Sequence, residues 1–542
     1  VNGTTDRRWV SARRIEGDER RNPLDDRNDC LRLLVATRRI SRAKSREDAL
    51  ENVHRKRAAE TRNDHRRDLH KIIATTRSLT SAQAWPFLGR SRVRGRCART
   101  EGRTLRPLFE VQVLVVSTIL SALLMTMNHA AQPTLTSHMP DVVARGTTPA
   151  VGAAASNDTL DLSISLPLHN DAELRALVDA VTNPASPEYR HYLSEAEFTA
   201  RYSPSVAEYR SLVRFALAHG LHPRALAANR LVLDVAGTVA DVERTLHLNI
   251  RLYRALGESR TFYAPDREPT LEGAPAVLHI SGLDDYDVPV SHFARGGPPL
   301  QAATGSGPSG NFLGSDMRAA YYGGSALTGA GQSLALFEYP GYNLADVNAY
   351  FKAVKQHRSV PVVGVSVNGA HLDCTGKCDD SEQVLDIEEA ISMAPGLKQL
   401  VVYVGKNDVS IINQMASDDT SKQLSCSWGF HPDPVVLYPI LQELAVQGQS
   451  FFVATGDYGY ELKRGGVWPS DDRYVTAVGG TDLKTNGPGG AWSSETGWRF
   501  SGGGPSPNHI PIPWYQVPFI NAANGGSTTL RNVPDVAANA NV

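Results

Sequence analysis

The 542-residue sequence has only five cysteines, 7% aromatic residues and a single long apolar run. The cysteines are Cys30, Cys97, Cys374, Cys378 and Cys426. Cys374 and Cys378 with His371 make a poor metal site, because no second ligand cluster accompanies them. In an exported chain the same two cysteines can close a small disulfide loop. The apolar run covers 111–127 and contains Gln112, which leaves it marginal for a membrane span. Arg103 and Arg106 precede it, and Ala130 and Ala131 follow. That order favours a secretory signal over an anchor, so 111–131 is read as signal-like and the membrane as a transient partner.

Net charge is also nearly absent, at -1, but the balance is uneven. Residues 1–110 carry 28 of the 56 Lys+Arg and 15 of the 57 Asp+Glu, whereas 312–542 carry 14 and 22. The basic segment is poor in lysine and aromatics and shows no sustained apolar period. Its cluster Arg90, Arg92, Arg94, Arg96 and Arg99 lies in no recognisable nucleic-acid-binding fold. Residues 1–110 are therefore expected to be a disordered extension or upstream sequence from a wrong start site, with no nucleic-acid partner.

After a Gly/Ala/Thr-rich spacer at 132–157, residues 158–290 read as a small α+β unit. Leu160, Leu162, Ile164 and Leu166 alternate with mostly polar residues, as in a half-buried strand. Asn170 is the expected cap of a helix with Leu174, Leu177, Val178 and Val181 on one face. A second helix runs from Pro204 to His219, with Ser203 as cap. Residues 291–311 form a Gly/Pro linker, a natural processing site. From 312 the rhythm becomes β-α-β. Apolar strands at 333–338, 362–367, 399–404, 423–427 and 450–455 alternate with helices, which implies a parallel sheet covered on both faces. Functional residues in such sheets gather beyond the carboxyl ends of the strands. Ser427-Trp428-Gly429 and Gly456-Asp457-Tyr458-Gly459 occupy such positions.

On the helix predicted at 381–393, Glu382 and Asp386 stand one turn apart, where like charges repel. Asp380 or Ser381 is the expected cap. In an apolar setting such a pair resists double ionisation and serves as a general base at a pH where histidine is already protonated. The opposing reading is a solvated acidic stripe that also includes Glu388 and Glu389. Asp457 reads either as part of a plain turn or as an acid that donates a hydrogen bond to an oxyanion. Trp428 reads either as the wall of a cleft or as core.

Taken together, the motifs resemble a known family. They are Leu327-Thr328-Gly329-Ala330-Gly331-Gln332, the Glu-x-x-x-Asp spacing at 382–386, and Ser425-Cys426-Ser427-Trp428-Gly429. Gly456-Asp457-Tyr458-Gly459, Tyr474-Val475-Thr476-Ala477-Val478-Gly479-Gly480-Thr481, Ser501-Gly502-Gly503-Gly504 and Val533-Pro534-Asp535-Val536-Ala537 follow in order. Residues 312–542 resemble the sedolisins, the serine-carboxyl peptidases. Residues 158–287, with Asn183-Pro184-Ala185-Ser186-Pro187-Glu188-Tyr189-Arg190-His191-Tyr192-Leu193, resemble their activation domain. The resemblance implies a subtilisin-like α/β peptidase domain preceded by a ferredoxin-like prodomain that chaperones and inhibits until acid-triggered cleavage. It implies Glu382 as base, Asp386 as its support and Asp457 as the oxyanion acid, with Ser427, Trp428 and Gly429 binding substrate. The substrates implied are proteins and peptides. The His-Gly-Thr motif of the subtilisins proper is absent, in keeping with a carboxylate base.

The resemblance also places the nucleophile in a Gly-Thr-Ser segment beyond Pro534-Asp535, and the sequence stops at Val542. The peptidase domain is thus expected to be C-terminally incomplete and, as given, inactive. Gly525-Gly526-Ser527-Thr528 is read as a loop. The calcium site that the resemblance implies is likewise expected beyond Val542, so no residue is assigned to it. The rival reading is a non-catalytic, peptidase-like peptide binder or prodomain-type inhibitor.

Overall fold

The computed structural model describes residues 135–540, apart from 256, 258, 292–303, 324–326, 375, 377, 431–433, 460–467 and 522. The basic segment 1–110, the signal-like segment 111–131 and most of the linker fall outside the described residues.

The first layer is built from β1 (Ala150–Ala153), β2 (Thr159–Ser165), β3 (His222–Leu226), β4 (Val232–Thr238), β5 (Ile250–Arg254), β6 (Thr261–Pro265) and β7 (His279–Ser281). Helices α1 (Asp171–Thr182), α2 (Glu195–Arg201), α3 (Val206–Ala218) and α4 (Val239–Leu246) lie between them. An antiparallel sheet has the order β3-β4-β2-β7, and β1-β5-β6 forms a second. Period-two patterning sets the packing of β2. Leu160, Leu162 and Ile164 meet Leu212 of α3 and Val242 of α4 in one core.

Several expectations change here. The alternation on β2 predicted one solvated face, yet Ser163 is 2% exposed, because that face docks on the second domain. Residues 135–157 are not all spacer: Leu135 joins the core, and β1 pairs with β5. Asn170 is left-handed and makes no side-chain cap bond. The cap of α3 is Ser205, which forms a capping box with Glu208, and not Ser203.

The second domain contains α5 (Gly314–Tyr322), β9 (Ser333–Glu338), α6 (Leu344–Ala353), β10 (Val362–Ser366), α7 (Ser381–Met393), β11 (Gln399–Val404) and α8 (Asp408–Asp418). β12 (Gln423–Cys426), β13 (Trp428–Gly429), α9 (Pro434–Val446), β14 (Ser450–Ala454), β15 (Thr476–Thr485) and β16 (Trp492–Gly497) follow. β8 (Val290–Ser291) straddles the junction between the first unit and the linker. The sheet order is β10-β11-β9-β12-β14-β15-β16, parallel up to β15 and antiparallel at β16. Successive side chains of β11 enter opposite layers. Leu400, Val402 and Val404 meet Val347 of α6 and Ile387 of α7, while Val401 and Tyr403 meet Ile412 of α8 and Leu441 of α9. Burial on both faces is why these strands read as continuous apolar runs.

The apolar face of α1 (Leu174, Val178, Val181) joins the α8–α9 layer, so the first domain closes over the second. Polar contacts fix the seam. Ser410 at the start of α8 donates to Asp234 of β4 at 2.6 Å. Asn229 donates to the buried Glu443 of α9 at 2.8 Å. Residues 525–528 form a turn and loop, and no helix follows them among the described residues.

Candidate active site

Helix α7 starts beside a covalent clasp, the Cys374–Cys378 disulfide. Neither expected cap acts as one. Asp380 accepts from the Asn343 backbone N–H at 2.8 Å, and the Ser381 hydroxyl donates to Asp379 at 2.7 Å. Ile387 and Ile391 anchor the helix in the apolar layer. That anchoring turns Glu382 and Asp386 toward the carboxyl ends of β9 and β12.

Glu382 is 6% exposed. The Ser427 hydroxyl, just past β12, donates to Asp386 Oδ1 at 2.9 Å. Sequence reasoning missed the next member. Glu338, the last residue of β9, is fully buried, and its Oε2 accepts from the Trp428 indole N–H at 2.8 Å. Its other oxygen, Oε1, and Asp386 Oδ2 are shut off from solvent and find no hydrogen-bond partner among the described residues. A single proton placed between these two carboxyls would give both oxygens a partner. Two ionised carboxylates have no proton to give, so both oxygens would stay unsatisfied. Burial raises both above the usual carboxylate range, and their mutual charge adds to the rise on Glu338. The pair therefore holds one proton where isolated carboxyls hold none. The signal for Glu338 was a lone acid ending the apolar strand 333–338, at the edge where parallel-sheet sites lie.

Glu388 and Glu389 do not form the solvated stripe of the opposing reading. Glu388 is 8% exposed, and burial raises it to about 8 and Glu389 to about 7. Trp428 is not an open cleft wall: it is 8% exposed and braces Glu338. Of the three expected substrate residues, Ser427 and Trp428 turn their side chains inward. What faces outward is backbone. Trp428 and Gly429 pair antiparallel with Ser291 and Val290 of β8, and the Ser291 hydroxyl donates to Glu382 Oε2. An extended peptide strand thus lies along this edge with a hydroxyl against the first acid.

Asp457 stands three residues beyond β14, on the strand next to β12 and at the same end of the sheet. Its turn is held by Gly502, where a Cβ would lie 1.8 Å from the Thr455 carbonyl oxygen. Gly502 N–H also donates to the Gly456 carbonyl at 2.8 Å. This close approach explains the glycine at 502. Among the described residues no group of three or more His, Cys, Asp or Glu could hold a metal ion.

Comparison with known proteins accounts for both domains. Residues 148–286 match the family model for the pro-kumamolisin activation domain. Kumamolisin from Bacillus sp. (strain MN-32) is 30% identical over 424 residues, which cover 72% of this chain and 75% of that protein. The chain belongs to the sedolisin family. Sedolisin from Pseudomonas sp. (strain 101) is 24% identical over 438 residues, covering 74% of this chain and 73% of that protein. A solved structure of Pseudomonas sedolisin, a serine-carboxyl proteinase complexed with two molecules of pseudo-iodotyrostatin, aligns at TM-score 0.37 and 24% identity. That alignment covers 44% of this chain and 72% of that one. The family assignment rests on the kumamolisin match.

Proposed function

We propose that this sedolisin-family chain is the precursor of an exported endopeptidase that hydrolyses peptide bonds at acid pH. Glu382 is the general base, since its Oε2 already accepts a hydrogen bond from a serine hydroxyl. Asp386 supports Glu382, and Glu338 supports Asp386. Of the three, the buried pair is satisfied by a single proton, which leaves Glu382 to take the next one. A carboxylate base of this kind works where imidazole would be protonated. Asp457 is the acid that donates to the developing oxyanion. The nucleophile that the reaction requires is assigned to no residue of this sequence.

The backbone of Trp428 and Gly429 binds substrate by strand addition, in which main-chain pairing gives affinity without fixing side-chain identity. The linker strand β8 occupies that position, so the activation domain blocks the site with its own chain. Export through 111–131 belongs to the same proposal. The observation that carries the reading is the convergence of Glu382, Asp386, Glu338 and an extended strand at the carboxyl ends of β9 and β12.

The test is expression of the open reading frame containing this sequence, followed by assay of peptide hydrolysis at about pH 4, below the histidine range. Glu382→Gln should lower kcat/KM by about 10²- to 10⁴-fold, and Asp457→Asn by about 10²- to 10³-fold. Hydrolysis unaffected by Glu382→Gln would refute the assigned base. Peptide binding without hydrolysis would favour the non-catalytic reading.

A further inference from the structure

We propose that the stacked pair His138 and His279 is a proton-sensitive latch on the last strand of the activation domain, holding the linker at neutral pH and freeing it in acid.

The latch sits at an exposed edge of the fold. Among the described residues β7 is the edge strand of its sheet, paired on one side only, with β2. The Ile280 side chain is in the core, but its backbone N–H points away from β2 and donates to His138 Nε2 at 3.1 Å. One imidazole thus plugs an edge that would otherwise have an open donor. Eight residues after β7 the chain becomes β8, the strand lying against Glu382. The grip on β7 is therefore the nearest sheet anchor upstream of the blocked site.

The bonds fix the protonation state. Because Nε2 accepts, it carries no proton, and Nδ1–H donates to Glu268 at 3.0 Å. The His138 side chain is completely buried. The His279 ring stacks on it with centroids 4.1 Å apart and planes at 11°, while its Nδ1 lies 3.4 Å from the Ser281 hydroxyl. A second proton on His138 must go to Nε2, where it meets the Ile280 N–H donor head on. Protonation of both rings would set two cations face to face at 4.1 Å, which repels. Either event works against the closed edge.

Opposing charges face the pair, and they do not rescue the latch. Glu268 favours a cation but engages Nδ1, which is already protonated. A cavity of about 650 Å³ adjoins both rings. β2 contributes Asp161, already paired with Arg224 at 2.6 Å. The segment after β7 contributes Asp284, Asp285 and Asp287, and burial raises Asp284 to about 6, so it is neutral in acid. Arg260 and Tyr263 line the cavity from the β6 region, and Lys406 and Asp408 from the start of α8. The acids can hold an imidazolium only if the ring turns toward them, and turning also leaves Ile280 without its acceptor.

The opened segment binds the proton at no such loss, so proton uptake favours opening as pH falls below the ordinary imidazole range near about 6.5. Glu443 at the domain seam works in the opposite direction. Its burial makes the docked state hold a proton more tightly, so docking of α1 on α9 is favoured as pH falls. Acid therefore loosens β7 and the linker while the rest of the activation domain stays seated.

The consequence for the site rests on reading β8 as its occupant, but the test does not require peptidase activity. In the full chain, hydrogen-exchange protection at Ile280, corrected for the intrinsic rate, should fall about tenfold per pH unit below about pH 6.5. In His138→Gln, whose amide can accept from Ile280 and donate to Glu268 at any pH, that dependence should vanish. Protection that is unchanged down to about pH 4, or an identical profile in His138→Gln, overturns the proposal and assigns any pH response to the carboxyls. Should the variant fail to fold, ¹⁵N-histidine spectra of the unaltered chain still decide. They should show His138 protonated on Nδ1 alone at neutral pH, and an Nε2-protonated or imidazolium ring there overturns the latch.

Discussion

The Trp428 indole N–H lies 2.8 Å from Glu338 Oε2, inside a protein layer that solvent does not reach. This one bond ties the segment that pairs with β8 to the buried carboxyl whose ionisation burial and the nearby Asp386 charge oppose. Trp428→Phe keeps the packing and removes the donor. The stranded acceptor should cost about 1–3 kcal/mol, measured as a lower urea midpoint with an unchanged slope.

Glu338→Gln should remove the shared proton. The amide can donate to Asp386 Oδ2 directly, so Asp386 no longer needs a protonated partner. Carbon-13 carboxyl spectra should lose a group that titrates above the usual carboxylate range. If the number of high-titrating carboxyls is unchanged, the two groups do not share a proton.

Glu443→Gln tests the seam. Burial raises Glu443 above its ordinary value of 4.5, so the folded state keeps its proton after the unfolded chain has lost it. The wild-type chain therefore loses stability as pH rises from the ordinary value toward the raised one. Gln carries no such charge, so the variant should be more stable than wild type at neutral pH and nearly equal in acid. Denaturant unfolding at both pH values checks the sign.

Asp234→Ala removes an acceptor shared by the Ser163 and Ser410 hydroxyls and a negative charge near the start of α8. The loss should be about 1–3 kcal/mol. Adding Ser410→Ala to that background should cost little more, because the two residues share one bond. Additive losses would show that they act separately.

Much of the second domain was legible in the sequence because its strands are buried on both sides. The runs at 333–338 and 399–404 have no polar alternation to mislead, and both strands end where expected. Glu382 and Asp386 were legible because helical spacing alone places them on one face. Caps were less so. Asp380 looks like a cap, but its carboxylate is taken by Asn343, thirty-seven residues earlier. Ser163 and Glu388 look solvent-facing, since a strand's or helix's polar face carries no mark of what will later cover it.

The sequence by itself determined the layer order, the acidic helix and the family motifs, because periodicity and local spacing are properties of neighbours along the chain. Only the tertiary structure decided that Glu338 completes the acid group, that Trp428 points inward, and that His138 from an apparent spacer closes the β7 edge. Each of these depends on groups far apart in sequence meeting in a space that excludes water, where an unshared proton or an open donor is costly.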